Sequence, residues 1–242
     1  GKIEPDRAMK LTEKYLSNTI SPTITILITC YNEELMIASK IKNSLALDYP
    51  KEKLTIMFID GGSKDQTVAI IKRYAKKKKS IGLIQSKKAG KINQLNEILP
   101  HITSDIIVCT DVDGELSKNA LSVIAAALQD KKIGLVGITI VPQTIISEEE
   151  YFWKQQNRLR LAESKYYSPL YIIAVCYGFR KGLIETFPDD VIADDIYLSF
   201  LAIKKGLKTT YTDEATAKEL RTPSTFSEFF NHKVRKTNAF LK

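Results

Sequence analysis

The chain has 242 residues, 44% of them hydrophobic and 26% charged, a globular composition that excludes disorder, collagen and coiled coil as descriptions of the whole chain. Thirty-six Lys and Arg against 28 Asp and Glu give a formal charge of +8, which favours anionic partners without choosing among nucleic acid, acidic lipid and phosphorylated small molecules. Two histidines exclude a His-rich zinc site and argue against a Ser-His-Asp triad, and the three unpaired cysteines (Cys30, Cys109, Cys176) read as buried small hydrophobes in a reducing compartment.

From residue 24 onward, short apolar runs alternate with helical patterns. Residues 24–30 (ITILITC) predict a buried strand. Residues 35–47 place Leu35, Ile37, Ala38, Ile41 and Leu45 on one helical face. A strand over 54–59 follows, then a helix over 67–74 with Val68, Ile71 and Tyr74 in phase. Next come a strand over 81–85 and a short helix over 92–99, stopped by Pro100. A fourth strand covers 105–110, an Ala-rich helix 121–128 and a fifth strand 133–141. This alternation predicts a mostly parallel α/β sheet with helices on both faces. Past residue 141 the rhythm changes. A polar, aromatic-bearing helix is expected over 148–166, an apolar run over 171–179 and a helix over 194–205, stopped by Gly206. An edge strand over 207–211 and a basic helix over 226–241 complete the chain. The lysine run 76–79 ends a helix, where cations are favoured, and reads as a solvated face. No run reaches the roughly 18 apolar residues that span a bilayer, and no signal-peptide pattern follows Gly1.

In such a sheet, ligands sit beyond the carboxyl ends of the strands. The polar residues there are Tyr31-Asn32-Glu33, Asp60-Gly61-Gly62-Ser63 and Asp111-Val112-Asp113. Two carboxylates flanking one residue can share a hard divalent cation and leave it sites for phosphate oxygens. The same residues also make surface turns, and in isolation that reading leads by about two to one. Asp60 can accept hydrogen bonds from a base or ribose, while Gly61 and Gly62 suit a tight strand-to-helix turn. Lys88-Ala89-Gly90-Lys91 opens a helix carrying Asn93 and Asn96 and can hold an anion, without the spacing of a Walker loop. Solvated turn lysines explain that stretch equally well. Asp194-Asp195 opens another helix, where one acid can cap and the other can act as a general base. Phe179-Arg180-Lys181 closes an apolar segment, and His232, Arg235 and Lys236 lie on the last helix. Each of these charges can simply be solvated, although an arginine also forks onto phosphate. Trp153, with Tyr151 and Phe152, reads as core or interface.

Taken in order over about residues 24–236, these segments resemble the inverting family 2 glycosyltransferases of the GT-A fold. The matching stretches are Thr29-Cys30-Tyr31-Asn32-Glu33, Asp60-Gly61-Gly62-Ser63-Lys64-Asp65, Lys88-Ala89-Gly90-Lys91 through Leu95-Asn96, and Asp111-Val112-Asp113. Gly178-Phe179-Arg180, then Asp194-Asp195-x-x-Leu198 and Gly206, continue the order. The resemblance implies a GT-A α/β fold with an N-terminal arm over 1–22, a nucleotide-sugar half over 23–141 and an acceptor half over 142–242. It implies transfer from a nucleotide-diphosphate sugar, with UDP first and GDP next, to a hydroxyl of a glycan or lipid-linked acceptor. Thr29, Tyr31, Glu33 and Asp60 would hold the nucleotide, with Lys88 and Lys91 near its diphosphate. Asp111 would contact ribose and, with Asp113, hold Mn²⁺ or Mg²⁺. Asp195 would be the base, with Asp194 beside it. Phe179, Arg180, His232 and Arg235 would serve the acceptor or diphosphate.

The sequence departs from the family pattern at three places. Gly61 replaces a second acid after strand two. Asp194 replaces a glutamate. His232 and Lys236 replace the Gln and Trp of a Gln-x-x-Arg-Trp motif, leaving only Arg235. The resemblance also implies a catalytic piece of a membrane-associated enzyme on the cytoplasmic face, with no nucleic-acid partner. Two other readings stand beside it. A sugar-1-phosphate nucleotidylyltransferase should carry a Gly-rich loop with Arg where this sequence has Tyr31-Asn32-Glu33. A basic binding module explains the charge, but not carboxylates at successive strand ends, which repel phosphate unless a metal intervenes.

Overall fold

A computed structural model describes residues 21–88, 90–144 and 146–241, with the backbone alone at His232 and beyond Val234 in the last helix. Of the arm expected over 1–22, residues 1–20 lie outside the described residues. The strands are β1 (Ile24–Cys30), β2 (Leu54–Asp60), β3 (Ile81–Gln85), β4 (Ile106–Thr110), β5 (Gly114–Leu116), β6 (Ile133–Pro142), β7 (Cys176–Arg180) and β8 (Lys208–Glu219). The helices are α1 (Ile37–Leu45), α2 (Thr67–Ala75), α3 (Lys91–Ile98), α4 (Ala120–Ala127), α5 (Ser147–Tyr166), α6 (Asp194–Lys204) and α7 (Phe226–Leu241). The eight strands of the described residues form one sheet in the order β3-β2-β1-β4-β7-β6-β8-β5.

Strand alternation and helical periodicity meet on both faces of this sheet. Ile24, Ile26 and Ile28 of β1 point to one face, where they join Ile37 and Ile41 of α1, Ile71 of α2 and Leu121 and Ile124 of α4. Leu27 points to the other, with Ile92 and Leu95 of α3 and Leu198 and Ala202 of α6. Each such side chain, fully buried, contributes about 1.5–3 kcal/mol by leaving water. The β3-β2-β1-β4 block is parallel throughout. β7 then runs antiparallel to both β4 and β6, β8 returns parallel to β6, and β5 is antiparallel to β8. Six of the eight strands therefore share one direction, and their carboxyl ends face the same side as the start of the reversed β7.

Three local expectations change. α1 begins at Ile37 rather than 35, and Leu35 stays in the preceding turn, 91% exposed. The apolar run 171–179 becomes strand only from Cys176. The strand expected at the edge over 207–211 is the twelve-residue β8, and it lies inside the sheet between β6 and β5. A bulge hides its length: Ile138 pairs with Thr212 but Thr139 with Thr216, and the exposed Asp213 and Glu214 in between break the alternation. All three cysteines are buried and unpaired, as their apolar settings predict.

Candidate active site

The loops after β1 and β2 latch onto each other. Asn32 adopts a left-handed conformation, φ 53°, which a short polar side chain tolerates. Its N–H donates to Ser63 Oγ at 2.8 Å, and its Oδ1 accepts the Lys64 N–H at 2.9 Å. Glu34 and Asp65 reciprocate: Asp65 accepts the Glu34 N–H, and Glu34 accepts the Gln66 N–H. Asp60 is fully buried and accepts the N–H groups of Gly62 at 3.0 Å and Ser63 at 3.1 Å. It anchors the turn after β2.

Asp111-Val112-Asp113 follows β4, held from below and above. The Asp111 N–H donates to the Val175 carbonyl at 3.2 Å, which ties the turn to the segment entering β7. Behind it, the buried Lys40 ammonium donates to Thr110 Oγ1 and the Gly114 carbonyl. Burial pushes this ammonium down to about 8, with Cys176, Asp111 and Asp113 opposing the shift. Burial, and then the like charge of Asp111, raise the Asp113 carboxyl above the ordinary carboxylate range. Arg221, just past β8, forks onto Glu33 and brings its Nε within 4.0 Å of Asp113.

The second acid pair opens α6. Asp194 is buried and accepts from the Tyr177 hydroxyl. Asp195 is half-buried; its Oδ2 accepts the Ala174 N–H at 3.1 Å and its Oδ1 the Ile196 N–H at 2.9 Å. Burial, and then the charge of Asp194, push the Asp195 carboxyl up to about 7, against the pull of Lys91 and the two N–H groups. Lys91 connects the two pairs: its Nζ lies 3.0 Å from Asp111 Oδ1 and 3.2 Å from Asp194 Oδ2. Burial alone would lower that ammonium, but Asp111, Asp194 and Asp195 hold it well above the ordinary lysine range. One short segment also spans both pairs, since Ala174 holds Asp195 while Val175 holds Asp111.

A cleft of about 430 Å³ opens here, lined by Thr29, Tyr31, Glu33, Lys91, Asp111 and Asp113 among the expected residues. Lys88 is exposed on the loop before α3 and does not line it. Phe179 and Arg180 are corrections: β7 is antiparallel, so Arg180 pairs with Ile106 at the far end of β4. Phe179 is buried in the core beside Tyr177, and the Arg180 guanidinium donates to the carbonyls of Leu128, Asp130 and Ile133. The side chains of His232 and Arg235 lie outside the described residues. Sequence reasoning missed Arg221, Gln94, Tyr177 and Lys40. Gln94 follows the Asn93 already singled out, but a lone polar residue inside a helix carries no spacing signal.

Among the described residues, no cluster of three or more His, Cys, Asp or Glu stands ready to hold a metal ion by itself. The donor set nevertheless fits Mg²⁺ or Mn²⁺, which bind through one or two carboxylates and take their remaining ligands from water and phosphate oxygens. Five carboxylates (Glu33, Asp111, Asp113, Asp194, Asp195) share the three cations Lys40, Lys91 and Arg221, so a diphosphate entering alone would add to a negative excess.

The chain matches the sequence family described as Glycosyl transferase family 2 over residues 25–187. A beta-monoglucosyldiacylglycerol synthase of Nostoc sp. (strain PCC 7120) is 30% identical over 135 residues, covering 54% of this chain. The chain spans 28% of that relative's length. Among solved structures, the mannosyltransferase PcManGT of Pyrobaculum calidifontis, in complex with GDP-Man and Mn²⁺, superposes with a TM-score of 0.75 at 24% identity, covering 92% of this chain and 66% of that one. S. aureus TarS 1–349 in complex with UDP-GlcNAc gives 0.64 at 16% identity, with 83% and 60% covered. These structural likenesses establish the GT-A fold. With the match covering more than half of its residues, the chain belongs to glycosyl transferase family 2.

Proposed function

We propose that the cleft transfers a sugar, with inversion, from a nucleotide-diphosphate donor to an acceptor hydroxyl, with help from a divalent cation. The observation that carries this reading is the Lys91 ammonium between Asp111 and Asp194, which brings the Asp111/Asp113 and Asp194/Asp195 pairs together. A Mn²⁺ or Mg²⁺ held by Asp111 and Asp113 would supply Lewis-acid charge opposite the departing diphosphate. Lys91 and Arg221 add positive charge at that end of the cleft. At the other pair, Asp195 takes the proton of the acceptor hydroxyl. A carboxyl raised to about 7 is half ionised near neutral pH and binds a proton more firmly than an ordinary aspartate, as a general base should. One base opposite the leaving group suffices for a single displacement, so no covalent enzyme nucleophile is needed.

Residues 23–141 are the donor half in this reading, and 142–242 the acceptor half. UDP-sugars are the first donor class and GDP-sugars the second; the two structural neighbours, solved with UDP-GlcNAc and GDP-Man, support both. The acceptor is a glycan or lipid-linked hydroxyl rather than nucleic acid, and the enzyme works at the cytoplasmic face of a membrane. The Nostoc relative, named for a glycolipid product, supports a lipid-side acceptor. Among the described residues, no helix is long and apolar enough to cross a membrane. α7, however, exposes Phe226, Phe230 and Val234 at four-residue spacing, an apolar stripe suited to the bilayer surface. Asp195→Asn tests the core of the proposal. Donor binding should persist while transfer falls by about 10²–10⁴-fold, and near-full turnover would remove Asp195 from the role.

A further inference from the structure

The cleft lining has two chemically different parts. Lys91, Asp111, Asp113, Glu33 and Arg221 carry charge and are linked by ion pairs, which suits a diphosphate. Thr29, Cys30, Tyr31, Gly61 and Gln94 are uncharged, with Gln94 seated against Cys30 and Gly61, which suits a heterocycle. Within this neutral part, Gln94 is only 4% exposed, yet it lines the cleft. Its Nε2 donates to the Cys30 carbonyl at 3.3 Å. Its Oε1 has no hydrogen-bond partner among the described residues.

We infer that Gln94 reads the donor's nucleobase and selects bases that present an N–H beside a carbonyl, uracil and guanine, over cytosine. The inference rests on the donor reading above. Position 61 makes the arrangement possible. A Cβ there would lie 2.4 Å from Gln94 Nε2, closer than real contacts allow, so a glycine leaves the carboxamide its place. The sequence therefore exchanges two features at one spot: the second acid after strand two is absent at Gly61, and an amide from α3 fills the space. The Cys30 carbonyl also fixes the amide's orientation. A carbonyl accepts only from the NH₂ group, so the oxygen is left as the free acceptor. That oxygen takes the N3–H of uracil or the N1–H of guanine, while the second N–H of Nε2 can meet the adjacent base carbonyl. Cytosine offers a lone pair at N3, and two acceptors would then face each other. Sites built around such a hydrogen bond discriminate by leaving buried groups unpaired with the wrong partner.

The test measures the affinities of UDP, GDP and CDP, each with Mn²⁺, for the wild-type chain, Gln94→Met and Gly61→Ala. The wild type should bind UDP and GDP at least about tenfold more tightly than CDP, the effect of one well-placed hydrogen bond. Gln94→Met should bring the three within about threefold of one another by weakening UDP and GDP and leaving CDP nearly unchanged. Gly61→Ala, which crowds the amide off its seat, should act in the same direction and carries the test if Gln94→Met does not fold. A tenfold preference that survives in a folded variant, or a wild type that prefers CDP, overturns the role of Gln94 alone. A wild type that binds none of the three overturns the donor reading, and this inference with it.

Discussion

The acid pair after β4 and the acid pair at the start of α6 meet on one lysine, yet they are built differently. Asp111 and Asp113 sit on a loop at the cleft wall, and the Asp111 side chain is 42% exposed. Asp194 is 6% exposed, and its partners are a phenol and an ammonium; Asp195 takes two backbone N–H groups. Two carboxylates held close both seek positive charge. The surroundings decide its form. An open loop with room for phosphate oxygens suits a divalent cation, whereas an enclosed helix start suits a proton. The residue type is the same at all four positions; in the proposed reading, the division of labour comes from burial and neighbours.

The largest expected effect that would break this contrast, after loss of the base itself, is on the open pair. Asp113→Ala should abolish stimulation of turnover by Mn²⁺ and lower transfer by about 10²-fold or more, read from metal titrations of the rate. Unchanged metal stimulation would remove Asp113 from the site. The enclosed pair is tested by pH. Transfer should rise as Asp195 loses its proton near pH 7. Asp194→Asn removes the like charge that raises this carboxyl, so the acid limb of the pH–rate profile should move to lower pH. A limb that stays in place would show that the titrating group is elsewhere.

Stability sharpens the same point. A carboxyl whose folded pKa exceeds its unfolded value stabilises the fold fully only below the unfolded value, about 4. That contribution is lost as pH rises through about 7. Asp195→Asn should therefore stabilise the apoprotein at pH 8 by about 1 kcal/mol, or about 2–4 °C in thermal unfolding, and leave it unchanged near pH 4. Arg221→Ala comes next, weakening donor diphosphate binding by about three- to tenfold while melting shifts little, because exposed ion pairs contribute about 0–1 kcal/mol. The smallest effect on transfer belongs to Arg180→Ala. It should leave turnover within about twofold and lower stability by about 1–3 kcal/mol through three freed carbonyls.

The parallel half of the sheet was legible because its strands are continuous apolar runs between amphipathic helices, and ligand-side residues follow each strand directly. The order of motifs likewise placed Lys91, Asp111, Asp113, Asp194 and Asp195 in one neighbourhood. Direction was not legible. Gly178-Phe179-Arg180 has the expected sequence, but reversal of β7 carries Phe179 into the core and Arg180 to the opposite end. Burial was not legible either: Asp60 stands at a strand end as expected, yet it is fully buried and accepts N–H groups of its own turn. Arg221 and Gln94 act through contacts with residues far away in sequence, which local pattern cannot encode.

The Arg221–Glu33 contact joins residues 188 apart in sequence. Such a closure comes late in folding, since the ordering of the intervening chain must precede it. During synthesis, the loop after β1 leaves the ribosome first and waits for the end of β8 before its glutamate finds a partner. A nascent chain lacking β8 has no strand to pair β5 with β6, so the turn bearing Asp111 and Asp113 lacks support on that side. In the proposed reading, the contact makes a finished site wait for β8, and chains lacking it would be left without one.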